Sequence, residues 1–201
     1  EVVMIRFAKL TCAALVATAV AAYAQNVISA KSGLIHYTEG SVTVDEKAIE
    51  PKKGQFAEMK NGETLTTTEV RAEVLLGPGA FLRVGENSSV LMLDSRLTDT
   101  RIQILSGTAL IECLELLKGN NITVVAAAVP VQIRKAGLYR FDLSENASAT
   151  LKVFDGEASV GAADNPIVAK KGKMVTLGGA LVAMKFDPRG QDTLYRWAAM
   201  R

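Results

Sequence analysis

Few side chains in this sequence could act as a nucleophile, a base or a metal ligand at neutral pH. The chain has one histidine, His36, and two cysteines, Cys12 and Cys113. A metal site takes several ligands from His, Cys, Asp and Glu, and a serine triad would have to recruit His36 without a Gly-x-Ser-x-Gly elbow. We therefore predict that His36 is a surface or half-buried residue. Cys113, beside Leu114 in an apolar stretch, is predicted to be a buried small hydrophobe.

Paired carboxylates deserve the same test, because polysaccharide-cleaving β proteins use them as acid and base. Three pairs occur at short spacing: Glu69 with Glu73, Glu112 with Glu115, and Asp94 with Asp99. They fall on predicted strand faces or in turns, and only 5% of the chain is aromatic, so we expect solvated strand faces. No phosphate-loop motif follows the glycine turns. The sequence predicts no enzyme, no catalytic residue, no metal and no cofactor, and it leaves the binding residues unknown.

The charge balance argues against polyanionic partners. Lys and Arg number 23 against 21 for Asp and Glu, a formal net charge of +2. Such a balance gives no long-range field that would attract nucleic acid, so no nucleic-acid partner is predicted. Short basic clusters at Lys52–Lys53 and at residues 170–173 are expected to be solvated loops.

The N-terminal segment predicts export. Basic Arg6 and Lys9 precede an apolar run, Leu10–Ala22, which is followed by Ala-Tyr-Ala ending at Ala24. This order is typical of a secretory signal peptide, so residues 1–24 are assigned to a signal-peptide helix and the protein to the periplasm or the exterior of a bacterial envelope. The run is shorter than the roughly 20 residues that span a bilayer. No stable transmembrane span is expected after cleavage, although retention of the segment as an anchor is left open.

The rest of the chain has the pattern of an all-β protein. Short runs with alternating or β-branched apolar residues are separated by glycine turns, which is typical of strands. The predicted strands are Ser41–Val44, Val70–Leu76, Ala80–Val84, Ser89–Leu93, Ile122–Val125, Val129–Ile133, Leu138–Leu143, Ala149–Phe154 and Met174–Leu177.

Two segments contain helix formers. Thr108–Lys118 places leucines at helical spacing, but its neighbours favour a strand. Near the C-terminus, Gln191–Arg201 predicts a short helix capped by Asp192, with Leu194 and Trp197 available to dock on a sheet. We divide the chain into a signal peptide, an all-β domain over residues 25–186 and a tail with a short helix over residues 187–201.

A weak recurrence accompanies these strands. Gly40–Val44, Gly107–Ile111 and Gly156–Val160 each begin with glycine and continue with apolar alternation. The intervals are unequal, which excludes a fixed-period array, but they suggest that the chain returns to similar positions in a sheet or coil.

Several of these segments resemble the FecR domain of the iron-dicitrate regulators. The stretch Gly62–Val90 has a Gly-Glu-Thr-Leu-Thr opening, a charged strand, a Gly-Pro-Gly turn and a Leu-Arg run. Further segments follow in the same order: Leu105–Leu110, Gly137–Asp142, Val153–Ala158 and Lys171–Val175. The resemblance covers about Leu34 to Leu177 and implies a twisted, solenoid-like or sandwich-like β domain that works by protein contact in the periplasm.

Three hypotheses follow from the sequence. The first is a stand-alone, non-catalytic exported FecR-like module for envelope sensing, signalling or assembly. Since few residues precede the apolar run, the anti-sigma region of the family is not expected. The second is a cell-surface domain that binds a carbohydrate or polymer through Tyr37, Phe81, Tyr139 or Phe141, although strand parity suggests that several point inward. The third, a β-solenoid lyase or hydrolase, is the weakest. The partner is predicted to be an envelope protein or a cell-surface polymer.

Overall fold

The structure, a computed structural model, describes residues 31–49, 56–143, 149–190 and 192–201. The predicted signal peptide, Cys12 and Lys52–Lys53 lie outside these ranges. Within them the chain forms seventeen strands and one α-helix, so the all-β class is confirmed. None of the helical structure in these ranges is long and apolar enough to cross a bilayer.

The strands form two layers, which we call sheet I and sheet II. Sheet I has the spatial order β4 (Ala57–Glu58), β1 (Leu34–Thr38), β6 (Ala72–Gly77), β7 (Ala80–Val84), the second half of β9 (Thr100–Cys113), β12 (Gly137–Leu143), β13 (Ala149–Asp155), β16 (Lys173–Leu177) and β17 (Ala183–Lys185). Sheet II has the order β3 (Lys47–Ile49), β2 (Val42–Val44), β5 (Thr64–Thr66), β8 (Ser89–Asp94), the first half of β9, β10 (Ile122–Ala126), β11 (Val129–Ile133), β14 (Glu157–Val160) and β15 (Ile167–Lys170).

The chain passes back and forth between the sheets while it advances along both of them. It enters at β1 and β2, crosses through the middle within β9, and reaches the far edges at β15 and β17. Neighbouring strands are antiparallel except β9 and β10, which run parallel. This progressive two-layer winding is the solenoid-like, sandwich-like arrangement that the FecR resemblance implied.

One continuous apolar core lies between the sheets. Alternate residues are buried in many of the strands, as in β10 (Ile122, Val124, Ala126) and β13 (Ala149, Leu151, Val153). Because successive strand residues point to opposite faces, this alternation places the intervening polar residues on the outer faces. The period-two pattern of the sequence therefore fixes which side of each strand faces the core.

The ambiguous segment Thr108–Lys118 is strand up to Cys113 and not helical beyond it. Residues 107–113 pair with β12 on one side, and residues 109–113 pair with β7 on the other. Ala109 and Ile111 face the main core, whereas Leu110 is buried on the opposite face beneath the C-terminal helix. Since both faces of this strand are covered, its sequence loses the apolar–polar alternation that marks a strand.

The recurring glycines mark places where the chain changes sheets. Gly40 lies between β1 and β2, Gly107 lies within β9, and Gly156 lies between β13 and β14. Gly107 and Gly156 have positive φ angles of 80° and 93°. A Cβ at Gly156 would also overlap the Tyr139 hydroxyl. Glycine is required there because other residues rarely adopt this conformation and none would fit.

The C-terminal helix forms as predicted. Helix α1 (Thr193–Ala199) begins after Asp192, whose Oδ1 accepts a hydrogen bond from the Tyr195 amide at 2.9 Å. Leu194, Trp197 and Ala198 are buried and pack with Leu110 on the outer face of sheet I. The predicted cap and the predicted docking residues are confirmed.

Candidate functional site: the open face of sheet II

The two outer faces of the sandwich differ in what covers them. Helix α1 lies over the outer face of sheet I, where Leu110 and partly buried Leu138 contact it. On sheet II the outer face presents exposed apolar side chains, among them Leu93, Leu105 and Val168. In the part of the chain that the structure describes, no α-helix packs on this second face, and the short 3-10 helix Leu97–Asp99 borders it. We therefore take the open face of sheet II as the candidate surface for a ligand.

A continuous row of side chains crosses this open face. Cross-strand pairing joins Arg101 to Thr123, Thr123 to Gln132, Gln132 to Ser159 and Ser159 to Val168. Directly paired residues in a sheet project on the same side, and the adjacent residues Ile102, Val124, Val131, Ala158 and Ala169 all point into the core. The row therefore projects outward from five neighbouring strands: β9, β10, β11, β14 and β15.

These side chains line a groove of about 720 Å³. Val125, Pro130 and Pro166 contribute apolar walls, while Asn121 and Arg134 stand beside the polar row. The groove runs across the strands, and four interstrand spacings of about 4.8 Å give it a length of about 19 Å. It is long and shallow, which suits an extended polymer better than a compact small molecule.

One end of the groove carries a charged cluster. Asp99 lies 2.8 Å from Arg101 and 3.3 Å from Arg96, and Arg96 also contacts Asp94 at 2.6 Å. Hydrogen bonds from the Arg96 side chain and amide lower the pKa of Asp94 to about 2. Hydrogen bonding and the charge of Asp99 raise the pKa of Arg101. Asp94, Arg96 and Arg101 therefore stay ionised near neutral pH.

A second charged cluster lies near the opposite end. Glu157 is 3.1 Å from Lys135 and 3.9 Å from Lys170. Arg134 lines the groove between these clusters and donates a hydrogen bond to Gln132 Oε1 at 3.0 Å. Within the described ranges no carboxylate pairs with Arg134. Its guanidinium is the cation in the groove that remains available to a bound anion.

The histidine and the cysteine singled out from the sequence lie apart from the groove. His36 is partly exposed, and its Nδ1 is 2.9 Å from Glu73 Oε1 on the sheet I side. Cys113 is buried, as predicted, and burial raises the pKa of its thiol. No three His, Cys, Asp or Glu side chains among the described residues come close enough to hold a metal ion.

The prediction that all three carboxylate pairs are solvated was wrong for Glu73. This residue is 3% exposed and forms an ion pair with Arg83, also 3% exposed, at 3.0 Å. Arg83 also contacts Glu112, and Arg201 approaches Glu73 at 3.8 Å. Arg201, which follows helix α1, thus contributes a charge to a polar cluster on an outer sheet face. Strand parity cannot reveal this arrangement. Glu69 and Glu115 are exposed as expected.

The four aromatic residues proposed as a sugar platform do not share an exposed surface. Tyr139 and Phe141 are fully buried, which agrees with the expectation that several of the four point inward. Phe81 lies beneath the Arg83 guanidinium at 5.5 Å, and Tyr37 lies beneath Arg201 at 3.7 Å. None of the four lines the groove on sheet II. Stacking of sugar rings on these residues therefore has no support in this geometry.

Sequence reasoning left the binding residues unassigned, and it missed the groove. Each strand shows only that Thr123, Gln132 or Ser159 points outward, which is true of most polar strand residues. Their alignment depends on the register between strands far apart in sequence, such as β11 with β14. A usable signal was present at Arg101 in β9, followed by Ile102, and at Arg134, which directly follows Ile133 at the end of β11, but nothing local connected the two cations.

Comparisons with known proteins support the fold at a distance. The chain is similar to two crystal structures, at 2.50 Å and 1.65 Å resolution, of a "putative anti-sigma factor" from Parabacteroides distasonis. Each superposition has a TM-score of 0.52 at 11% sequence identity and covers 63% of this chain. The superposition spans 61% of each of those chains. No protein-family model matches the sequence, and no curated protein matches it significantly.

Proposed function

We propose that this protein is a non-catalytic, exported interaction domain that binds an envelope protein through the open face of sheet II, in sensing or signalling. The observation that carries the proposal is the groove, in which residues from five strands are brought into one row on a face that no α-helix of the described ranges covers. Its residues are suited to reversible contact: hydroxyls, amides, guanidinium groups and small apolar surfaces.

The fold is consistent with a regulatory role. The solved structures with a similar fold are described as anti-sigma factors, and the strand motifs resemble the FecR domain of the same kind of regulator. At 11% identity this likeness concerns the fold alone. The assignment to a FecR-like module and the envelope location therefore belong to the proposal.

Non-catalytic action is supported by the state of the reactive groups. The Cys113 thiol is buried with a raised pKa, and the His36 imidazole contacts a carboxylate already paired with Arg83. The groove itself has two carboxylates among its lining residues, Asp99 and Glu157, and each is bound by cations. Neither is placed as a free general base toward a ligand.

Site-specific photocrosslinking in the native cell would test the proposal. The full chain would carry p-benzoylphenylalanine at Gln132 in the groove or, as a matched control, at Leu114, which is 66% exposed outside the groove. We expect a covalent adduct with an envelope protein from the first position and none from the second. Equal adducts from both positions would contradict binding through the groove.

Export would be tested in the same strains by fractionation. Recovery of the protein in the periplasm or medium, shortened at its N-terminus by about the first 24 residues, is expected from the predicted signal peptide. Recovery of the full-length chain among soluble cytoplasmic proteins would overturn the envelope assignment.

A further inference from the structure

The charge and the shape of the groove on sheet II bear on which kind of partner segment it binds. An inference about this segment rests on the proposed function. The groove lining holds two cations, Arg101 and Arg134, against two carboxylates, Asp99 and Glu157. The immediate rim adds Arg96, Lys135 and Lys170 against Asp94 and Asp164, the latter between the lining residues Ala163 and Pro166. Asp94, Asp99 and Glu157 are within ion-pair distance of these cations. The local excess is one positive charge, and Arg134 is the cation of the lining left without a described carboxylate partner.

From this complementarity we infer that the groove binds an extended acidic polypeptide segment. A carboxylate of the segment meets the Arg134 guanidinium, whose planar donors suit a bidentate carboxylate. Small apolar side chains of the segment lie against Val125, Pro130 and Val168. At about 3.3 Å per residue, about six extended residues fill the groove from end to end.

Two features favour a polypeptide over an anionic polysaccharide. The lining residues include side-chain amides and hydroxyls at Asn121, Thr123, Gln132 and Ser159, which can pair with backbone amide groups. The second feature is that none of the described residues lining the groove has an aromatic ring on which a sugar could stack.

A peptide titration would test the inference directly. The probes are a fluorescein-labelled decapeptide of Glu alternating with Val and Thr, the same peptide with Lys in place of Glu, and polygalacturonate as an anionic polysaccharide. We expect anisotropy to show binding of the acidic peptide, weakened as salt rises from 50 to 300 mM, because exposed charges are screened. The lysine peptide should not bind, and amide NMR shifts should concentrate at Thr123, Gln132 and Ser159.

Variants locate the binding determinant. Arg134→Glu should weaken binding of the acidic peptide at least about tenfold, and Arg134→Gln should weaken it less, since reversal adds repulsion to the lost attraction. Lys47→Glu makes the same charge change on β3, at the far edge of the same sheet, and should leave affinity unchanged. Arg134 is exposed, and its one described side-chain bond is to Gln132, so both Arg134 variants should retain the wild-type melting temperature.

The outcomes separate this inference from the proposed function. Equal affinity for the acidic and basic peptides, an unchanged affinity in Arg134→Glu, or tighter binding of polygalacturonate would each overturn the acidic-peptide assignment. Crosslinking from Gln132 to an envelope protein without any binding of the acidic peptide would leave the proposed function standing and remove this inference. Absence of both signals would remove both.

Discussion

At the scale of a single side chain, Tyr139 hydrogen-bonds to two segments in which the chain crosses between the sheets. Its hydroxyl donates to the Lys135 carbonyl at 2.6 Å and accepts from the Glu157 amide at 2.9 Å. Lys135 lies between β11 and β12, and Glu157 begins β14. One buried hydroxyl therefore satisfies backbone groups from two turns that are far apart in sequence.

Removal of this hydroxyl should destabilise the fold without changing its shape. In Tyr139→Phe the Glu157 amide loses its partner in a partly buried site, and we expect the free energy of unfolding to fall by about 1–3 kcal/mol. Urea denaturation followed by circular dichroism would measure the change. An unaltered midpoint would show that water replaces the hydroxyl at no cost.

The same residue gives a prediction for alkaline pH. Burial, the largest cause, raises the pKa of Tyr139 to about 12 from an ordinary value of 10.0. Because the folded pKa exceeds the unfolded one, the contribution of the protonated phenol is fully present below pH 10 and is lost as pH rises toward 12. The stability difference between wild type and Tyr139→Phe should shrink over that interval in urea titrations. A constant difference would contradict the burial of this group.

The ion pair between Arg83 and Glu73 is a second feature at the scale of single residues that affects stability. Their ion pair is almost fully buried, so removal of Arg83 leaves the buried Glu73 carboxylate without that guanidinium, facing His36 at 2.9 Å and Arg201 at 3.8 Å. We expect Arg83→Ala to lower the free energy of unfolding by about 3 kcal/mol. The matched double variant Glu73→Leu/Arg83→Met should recover much of the loss, since it removes both charges. Urea midpoints of wild type, Arg83→Ala and the double variant would test this expectation. An equal loss of stability in the double variant would contradict it.

At the scale of elements, helix α1 is a short unit held by few contacts. Its buried residues form an apolar cluster with Leu110 that is separate from the main core. Helices of two turns are unstable alone, so packing and the Asp192 cap hold this one in place. Arg140 also contacts Asp192. Burial acts to raise the pKa of Asp192, but the Tyr195 amide and Arg140 outweigh it and leave that pKa lowered.

The single tryptophan of the chain, Trp197, makes undocking of this helix measurable. In Asp192→Ala the cap and the ion pair with Arg140 are both lost, at a cost of about 1 kcal/mol for the cap. We expect its Trp197 fluorescence to shift to the red at a lower urea concentration than the loss of the β-sheet circular dichroism signal. Asp192→Asn keeps a capping oxygen and should behave more like wild type. Coincident transitions in Asp192→Ala would mean that the helix and the sandwich unfold as one unit.

For the whole molecule, ionised carboxylates set the acid limit of stability. Hydrogen bonds from Arg96 lower the pKa of Asp94 to about 2, and Arg189 likewise lowers the pKa of Asp187. A lowered folded pKa contributes stability above the unfolded value near 3.8 that is lost as pH falls through the folded value. Thermal melts should therefore show a decline between about pH 5 and pH 2. Asp94→Asn should be less stable than wild type at pH 7 and equal to it near pH 2; an unchanged gap would contradict the prediction.

The sequence by itself determined much of this protein. Glycine-separated, period-two runs defined the strands, as for Ala80–Val84 and Val129–Ile133, whose predicted bounds match the structure. It also located helix α1, its cap and its docking residues. These features depend on interactions within a few residues, which sequence patterns record directly.

Only the tertiary structure decided which outer face is covered and which residues form the groove. The partners of Glu73 and the row from Arg101 to Val168 arise from pairings between strands that are distant in the chain. Register between such strands is set by the packing of the whole core and by the crossovers, so no local pattern contains it. The same physical reason explains why the burial of Glu73 was missed, whereas strand parity could suggest that several of the four aromatic residues point inward.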